Sequence, residues 1–460
     1  MRATRLALLA AAVLLVATTP PAAPSVLVRI HPTATDVGRA SALPLTTAQC
    51  QARLHVACYA PAQLQRAYDL APLFARHDDG RGQTIAIVDS FGSPTVQHDL
   101  DVFDRTYGLP AAKLAVIQPA GPVPRYDSAN ADEVGWAGET ELDVEWAHVM
   151  APGADILLVT TPTSEKEGTT GFPEIVTAEK YVIDNHLATV ISQSFGATEE
   201  TFPSPDALYA LRGAYEDAYV NGVTVLAAAG DSGATDNTVA NDLYSHAVTS
   251  WPDSDPLVTG VGGTKLTLNA AGDRTAPDVV WNDTYDTKVQ QYMAGDHGPN
   301  ALAGGGGRSI MFARPGYQWP VASVVGDQRG VPDVSMSAAC GGAVNVYQSF
   351  AGQPAGWYPT CGTSEATPLF AGIVVLAAQR AGHPLGLINP ALYAMSEAHA
   401  PGIIDVTAGD NTVSFTQQNQ QYTVQGFAAR PGYDLVSGVG TVDGAAFVPQ
   451  LVAYVEHPSW

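Results

Sequence analysis

Short, unbroken apolar runs alternate with segments of helical period along most of this chain. TIAIVDS (84–90), DILLVTT (155–161), TVISQSF (189–195) and TVLAAAG (224–230) are apolar almost throughout, as strands buried on both faces are. Helical spacing occupies 61–77, 95–106, 139–150, 172–186 and 206–220. The alternation predicts an α/β domain whose doubly wound, mostly parallel sheet is covered by helices on both faces. In such sheets function gathers at the carboxyl ends of the strands, which here carry Asp89, Ser194 and Asp231.

The most apolar helix begins inside CGTSEATPLFAGIVVLAAQRAG (361–382), and from Leu369 to Ala378 it bears no charge on any face. Burial on all sides is predicted. Ser364 falls between a glycine turn and the start of this helix, where unpaired N–H groups and the helix dipole can hold a negative charge that forms as its hydroxyl attacks a carbonyl. A simple capping role is the alternative. Pro368 is expected in the first turn, where its missing N–H costs little.

The segment GETELDVEWAHVMAPGA (138–154) has four acids at every second residue. At about 100° per residue, Glu139 and Asp143 share one side beside Leu142, Trp146 and Val149, whereas Glu141 and Glu145 fall on the opposite edge. The first pair is therefore expected to be adjacent and partly buried, a setting that couples two carboxyls and raises at least one pKa. Glu141 and Glu145 are expected on a solvated face. In AAAGDSGA (227–234), Asp231 ends a buried strand in a tight turn, either as a turn cap or, if protonated, as a donor to an oxyanion.

A serine nucleophile needs a base, and no GHGTH-like segment supplies a histidine, although Asp89 stands where a subtilisin-like triad would place its acid. Glu139 can fill that role. A carboxylate is partly ionised in acid, where imidazole is fully protonated. The net charge of −23, with only 22 Lys and Arg, argues against nucleic acid or anionic membrane partners and suits an acidic medium.

The opening MRATRLALLAAAVLLVATTPPAAP reads as a signal peptide over 1–23, followed by a Pro, Ala and Thr rich pro-segment or linker over 24–58 and one domain over 59–460. A secreted, extracellular protein is expected, with no membrane span after signal removal. Four cysteines then suggest two disulfides, and spacing favours Cys50 with Cys58 and Cys340 with Cys361. The Gly, Asp and Asn rich segments 232–256 and 283–310 read as walls of a cleft. No zinc motif occurs.

GETELD, AAAGDSG and GTSEATP, in this order, resemble the sedolisin family of serine-carboxyl peptidases, and GQTIAIVDSFG, VISQSFG, LVTGVGGT, GGGGRSIMFARPGYQ and RGVPDVSM extend the likeness over residues 58 to 445. The resemblance implies a subtilisin-like fold and acid-active endopeptide hydrolysis through an acyl-enzyme on Ser364, with protein or peptide as substrate. It implies Glu139 as general base, Asp143 as the residue that holds it, and Asp231 as oxyanion donor with the Ser364 N–H. Near the end, IIDVTAGDN and ARPGYDLVSGVG resemble the family's calcium site. That likeness implies one structural Ca2+ on Asp405 and Asp434 and on the carbonyls of Val406, Arg430 and Gly432, hard oxygen ligands of the kind calcium takes.

Three departures stand out: only residues 24 to 58 lie where the family commonly has a long prodomain, Phe195 stands for a frequent Trp or Tyr, and Arg430 replaces a common glycine. A monomer is expected. An inactive peptide-binding relative is the second reading; a glycosidase using Glu139 and Asp143 fails because i,i+4 carboxyls are too close to flank a sugar.

Overall fold

The computed structural model describes residues 34–293 and 299–457. The expected signal segment and residues 24–33 lie outside them. In chain order, the elements that frame the site are β1 (Thr35–Asp36), α1 (Thr47–Leu54), β2 (Ala57–Tyr59), β3 (Thr84–Ser90), α2 (Val96–Tyr107), β4 (Lys113–Ile117), α3 (Ala131–Met150), β5 (Asp155–Thr161) and α4 (Phe172–Asp184). They continue with β6 (Val190–Gln193), α5 (Gly213–Asn221), β7 (Thr224–Ala228), β8 (Thr259–Lys265), β9 (Val279–Val280), β10 (Val334–Ser337), β11 (Gly342–Gln348), β12 (Gly356–Cys361) and α6 (Thr363–Ala381).

The main sheet runs β9-β8-β7-β6-β3-β5-β4, with β10 also paired to β8. Every pairing is parallel except β8 with β9. Alternation along β3 divides the interior in two: Ile85 and Ile87 enter one core with α3 and α6, and Ala86 and Val88 enter the other with α4 and α5. This is the two-faced parallel sheet that the apolar runs predict.

Helix α6 is buried at every residue from Thr363 to Ala378. It packs on α3 so closely that a Cβ on Gly372 would lie 2.4 Å from Met150 Cβ. A glycine is required there for the two helices to meet. Pro368 does not sit in the first turn as expected but in the second, because the helix starts at Thr363. Its missing N–H leaves the Ser364 carbonyl without its intrahelical donor, and the Ser194 hydroxyl reaches that carbonyl at 3.5 Å.

A second sheet, ordered β1-β12-β11-β2, lies beside the first. Residues 34–58 are stitched into it: β1 pairs antiparallel with β12, β2 pairs parallel with β11, and Cys50–Cys58 ties α1 to β2. The second disulfide, Cys340–Cys361, anchors the chain just ahead of Ser364. Both pairings favoured by spacing are present. Among the described residues, no helix is long and apolar enough to cross a membrane.

Two predicted helices are divided. The 61–77 segment becomes Pro61–Ala67 and Ala71–Phe74, with Asp69 between them at φ +50°, and 206–220 becomes Pro205–Tyr209 and Gly213–Asn221. Helix α3 starts earlier than its apolar pattern indicates, at Ala131. The Asn130 side chain caps it by accepting from the Asp132 N–H at 3.1 Å, and acids fill its first turn.

Candidate active site

Four chain segments bring the chemistry together. Helix α3 carries Glu139 and Asp143, β3 carries Asp89 near its carboxyl end, Asp231 follows β7, and the turn from β12 into α6 delivers Ser364. That turn depends on Gly362, whose φ of +136° suits only glycine. Ser364 then occupies the second position of α6, where its N–H is one of the first-turn amides that a helix leaves without an internal acceptor.

Glu139 is buried, and its Oε2 accepts a hydrogen bond from the Ala34 N–H at 3.3 Å. The Ser364 hydroxyl lies against the same carboxyl, in a contact looser than a fully formed hydrogen bond but close enough to favour the ionised form. Burial nevertheless raises Glu139 well above the usual carboxylate range, and the charges of Asp89 and Asp231 add to the rise. Asp143 is raised in the same direction by burial and then by the charges of Glu139 and Asp89, against the opposing bond from Ser194 Oγ to its Oδ1 at 2.8 Å. Burial pushes Asp89 up to about 7 despite a bond from Thr140 Oγ1 at 2.8 Å. Three carboxyls crowded in one dry place hold fewer than three charges, so they titrate as a unit.

Asp231 is tied to the residue before the serine. Its Oδ1 accepts from Thr363 N and from Thr363 Oγ1, both at 2.7 Å. The Thr363 hydroxyl oxygen also accepts from the Gly230 N–H at 3.2 Å, which fixes the turn after β7 against the start of α6. Asp231 and Ser364 line one small cavity of about 20 Å³, room for about one water, together with Ser194, Gly230, Asp236 and Ser250. Such an array can place a carbonyl between a hydroxyl and donors on its far side.

The structure thus places all four residues singled out for catalysis around one point. It corrects the reading of Glu141 and Glu145, which are fully buried instead of solvated, because α2 and the β11–β12 hairpin cover that side of α3. Ser93 and Thr95 donate to Glu141, and the Tyr347 N–H donates to Glu145 at 3.1 Å. Asp236 was missed as a lining residue. Its place in the irregular segment after Asp231, already read as a cleft wall, was the available signal.

The five residues expected to hold calcium also converge. Asp405 Oδ2 accepts from the Gly432 N–H at 2.9 Å, Asp434 Oδ2 accepts from the Arg430 N–H at 2.9 Å, and Ser437 Oγ bridges Asp434 Oδ1 at 2.9 Å to the Val406 carbonyl at 3.5 Å. Two carboxylates and neighbouring carbonyls form an oxygen donor set of the kind a hard cation takes. The Gly432 and Arg430 amides would have to turn away from the carboxylates for an ion to sit there. Among the described residues, no group of three or more His, Cys, Asp or Glu could hold a metal.

The family model described as "Subtilase family" matches residues 131–419. Kumamolisin from Bacillus sp. (strain MN-32) is 31% identical over 401 residues, covering 86% of this chain and 64% of that protein. Sedolisin from Pseudomonas sp. (strain 101) is 28% identical over 375 residues, covering 81% and 57% respectively. The chain therefore spans about three-fifths of the length of these two relatives. A solved structure of Pseudomonas sedolisin, a serine-carboxyl proteinase complexed with two molecules of pseudo-iodotyrostatin, superposes with a TM-score of 0.68 at 23% identity, over 92% of this chain and 100% of that one. The subtilisin-like fold inferred from sequence is the fold found. The chain belongs to the subtilase family, as a sedolisin-type member of it.

Proposed function

We propose that this chain is a secreted, acid-active serine-carboxyl endopeptidase. The observation that carries this reading is the meeting of the Ser364 hydroxyl, at the start of a buried helix, with the carboxyl of Glu139, beside a small cavity lined by Ser364 and Asp231 and by no histidine. Glu139 removes the hydroxyl proton as Ser364 Oγ attacks the substrate carbonyl carbon. Negative charge gathers on the carbonyl oxygen and is held by the Ser364 N–H and by a proton on the Asp231 carboxyl. Glu139 passes its proton to the leaving amine, which departs and leaves an ester on Ser364. Water then enters, Glu139 takes its proton, and the second half repeats the first in reverse order.

Asp143 orients Glu139 and disfavours a second charge beside it, which keeps the pair at one negative charge when the base is needed. The two disulfides agree with an extracellular place, as does the signal pattern at the amino end. Asp405, Val406, Arg430, Gly432 and Asp434 would hold Ca2+, which when bound would pin the loop after Asp405 to the loop around Asp434 by neutralising both carboxylates. A chelator is then expected to lower Tm; an unchanged Tm with and without it would remove the ion from the proposal.

The deciding assay is cleavage of an unfolded protein at about pH 4 by wild type and by Ser364→Ala. Wild type is expected to cleave, and the variant to lose at least about a thousandfold in rate. Full activity in Ser364→Ala would overturn the mechanism, and no cleavage by wild type would overturn the peptidase reading.

A further inference from the structure

The segment ahead of α1, expected from its composition to be a pro-segment or linker, is built into the active centre. β1 pairs through Thr35 with Cys361 and through Asp36 with Thr360, just ahead of Ser364. The Val37 N–H donates to the Pro359 carbonyl at 2.7 Å, and Ser41 and Trp357 exchange backbone bonds at 2.9 and 2.8 Å. Val37 is wholly buried in the main core, and the Cys50–Cys58 disulfide closes the segment behind it. The early residues of a domain stay ordered only when tied down, and these are tied to the strand that delivers Ser364.

At the start of this segment the Ala34 N–H donates to Glu139 Oε2 at 3.3 Å, across 105 residues of sequence. Burial raises Glu139 well above the usual carboxylate range, and the charges of Asp89 on β3 and Asp231 after β7 add to the rise, while the Ser364 hydroxyl and the Ala34 N–H oppose it. Asp143, one turn along α3, faces Glu139 as a further carboxyl of the same sign. Asp36 on β1 is turned to Thr360 Oγ1, which donates to it at 2.7 Å, and burial pushes it up to about 6, so near pH 4 it brings little charge to the group. Of the two donors on Glu139, the Ser364 hydroxyl gives up its hydrogen in the proposed reaction. The Ala34 N–H does not titrate, and a donor of this kind favours the ionised carboxylate at every proton transfer.

We propose that the Ala34 N–H is a positioning donor of the active centre: β1 holds it on Glu139 Oε2, where it fixes the orientation of the carboxyl toward Ser364 and steadies its negative charge when the proton leaves. This assignment rests on the peptidase reading for the role of Glu139. It makes β1 a working part of the protein and not a strap to be shed.

Ala34→Pro tests it in the full chain, because β1 is an edge strand of its sheet and proline at the start of an edge strand removes an N–H at little cost to folding. The variant is expected to lower kcat near pH 3 by about threefold to tenfold with KM little changed, and to move the acid limb of the profile up by about half a pH unit or more. Ala34→Gly, which keeps the N–H, should return the limb to its wild-type place. An unmoved limb in Ala34→Pro, a rise in activity as from the release of an inhibitory strap, or an equal shift in Ala34→Gly overturns the proposal. The infrared band of the protonated Glu139 carboxyl, recognised as the one that Glu139→Gln removes, reads the same bond without turnover. Its midpoint should lie higher in Ala34→Pro than in wild type by about half a pH unit or more, and an unmoved midpoint overturns the proposal whatever the activity. If wild type cleaves nothing and the midpoint moves, the peptidase reading fails while the donor on Glu139 stands.

Discussion

Four of the buried carboxyls of helix α3, Glu139, Glu141, Asp143 and Glu145, lie on two faces, and the faces have been put to different uses. Glu139 and Asp143 look toward Ser364 and Ser194, whereas Glu141 and Glu145 look toward α2 and the β11–β12 hairpin. Burial raises all four well above the ordinary carboxylate range. A perturbed pKa therefore does not by itself mark the site on this helix. What separates the two faces is the neighbour: one face meets the proposed nucleophile, the other meets hydroxyls and backbone amides of closed structure.

The largest effect should divide the faces directly. Glu139→Gln removes the proposed base and is expected to lower kcat/KM by about a hundredfold to ten-thousandfold. Glu141→Gln, which touches no reacting atom, should change it by less than about threefold. Comparable losses from both, measured on one peptide at one acid pH, would erase the distinction. Asp143→Asn should come next, at about tenfold to a hundredfold in kcat with KM little changed. Because Asp143 and Glu139 disfavour each other's charge, the asparagine should also move the acid limb of the profile to lower pH. An unmoved limb would reduce Asp143 to a packing role.

Much of this arrangement is legible in the chain. The apolar runs locate the strands of the parallel sheet, the charge-free helix locates the rigid support of Ser364, and i,i+4 spacing pairs Glu139 with Asp143. The burial of Glu141 and Glu145 is not legible, because their cover comes from Ser93 and Tyr347, remote in sequence, and helical spacing reports only on the helix that carries it. The same holds for Ala34. Its amide reaches Glu139 only because β1 zips onto β12, a pairing that no local pattern in a Pro and Ala rich stretch announces. Asp236 was hidden for another reason, since irregular segments carry no period from which direction can be read.

A smaller and more general effect follows from the raised acids taken together. Burial puts Asp89 at about 7 and Glu179 at about 8 in the folded chain, against ordinary values of 3.8 and 4.5. Raised folded values mean that the folded state holds protons the unfolded state has released. The corresponding stability is complete below about pH 4 and is lost as pH climbs through 7 to 8. Tm should therefore fall by at least about 5 °C between about pH 4 and pH 8. A Tm that rises over this interval would contradict the direction for these buried acids.

The smallest expected effect isolates the closed face. Glu145 is raised first by burial and then by the charge of Glu141, while the Tyr347 N–H partly offsets both by donating to it. Glu145→Gln keeps an acceptor for that N–H but has no proton to lose. Near pH 4 the wild-type side chain is already neutral in the folded state, so the two proteins should melt within about 1 °C of each other. Toward pH 8 the unfolded wild type gains by ionising and the glutamine variant does not, so the variant should melt higher, by about 2 °C or more. Activity at acid pH should be unchanged, because the substituted group faces Tyr347 and not the cavity. If instead Glu145→Gln lowered Tm at both pH values, its carboxyl would be paired in a way that outweighs its burial, and the closed face would be held together by ionised acids. The contrast with Glu139 would then lie in charge and not only in neighbours.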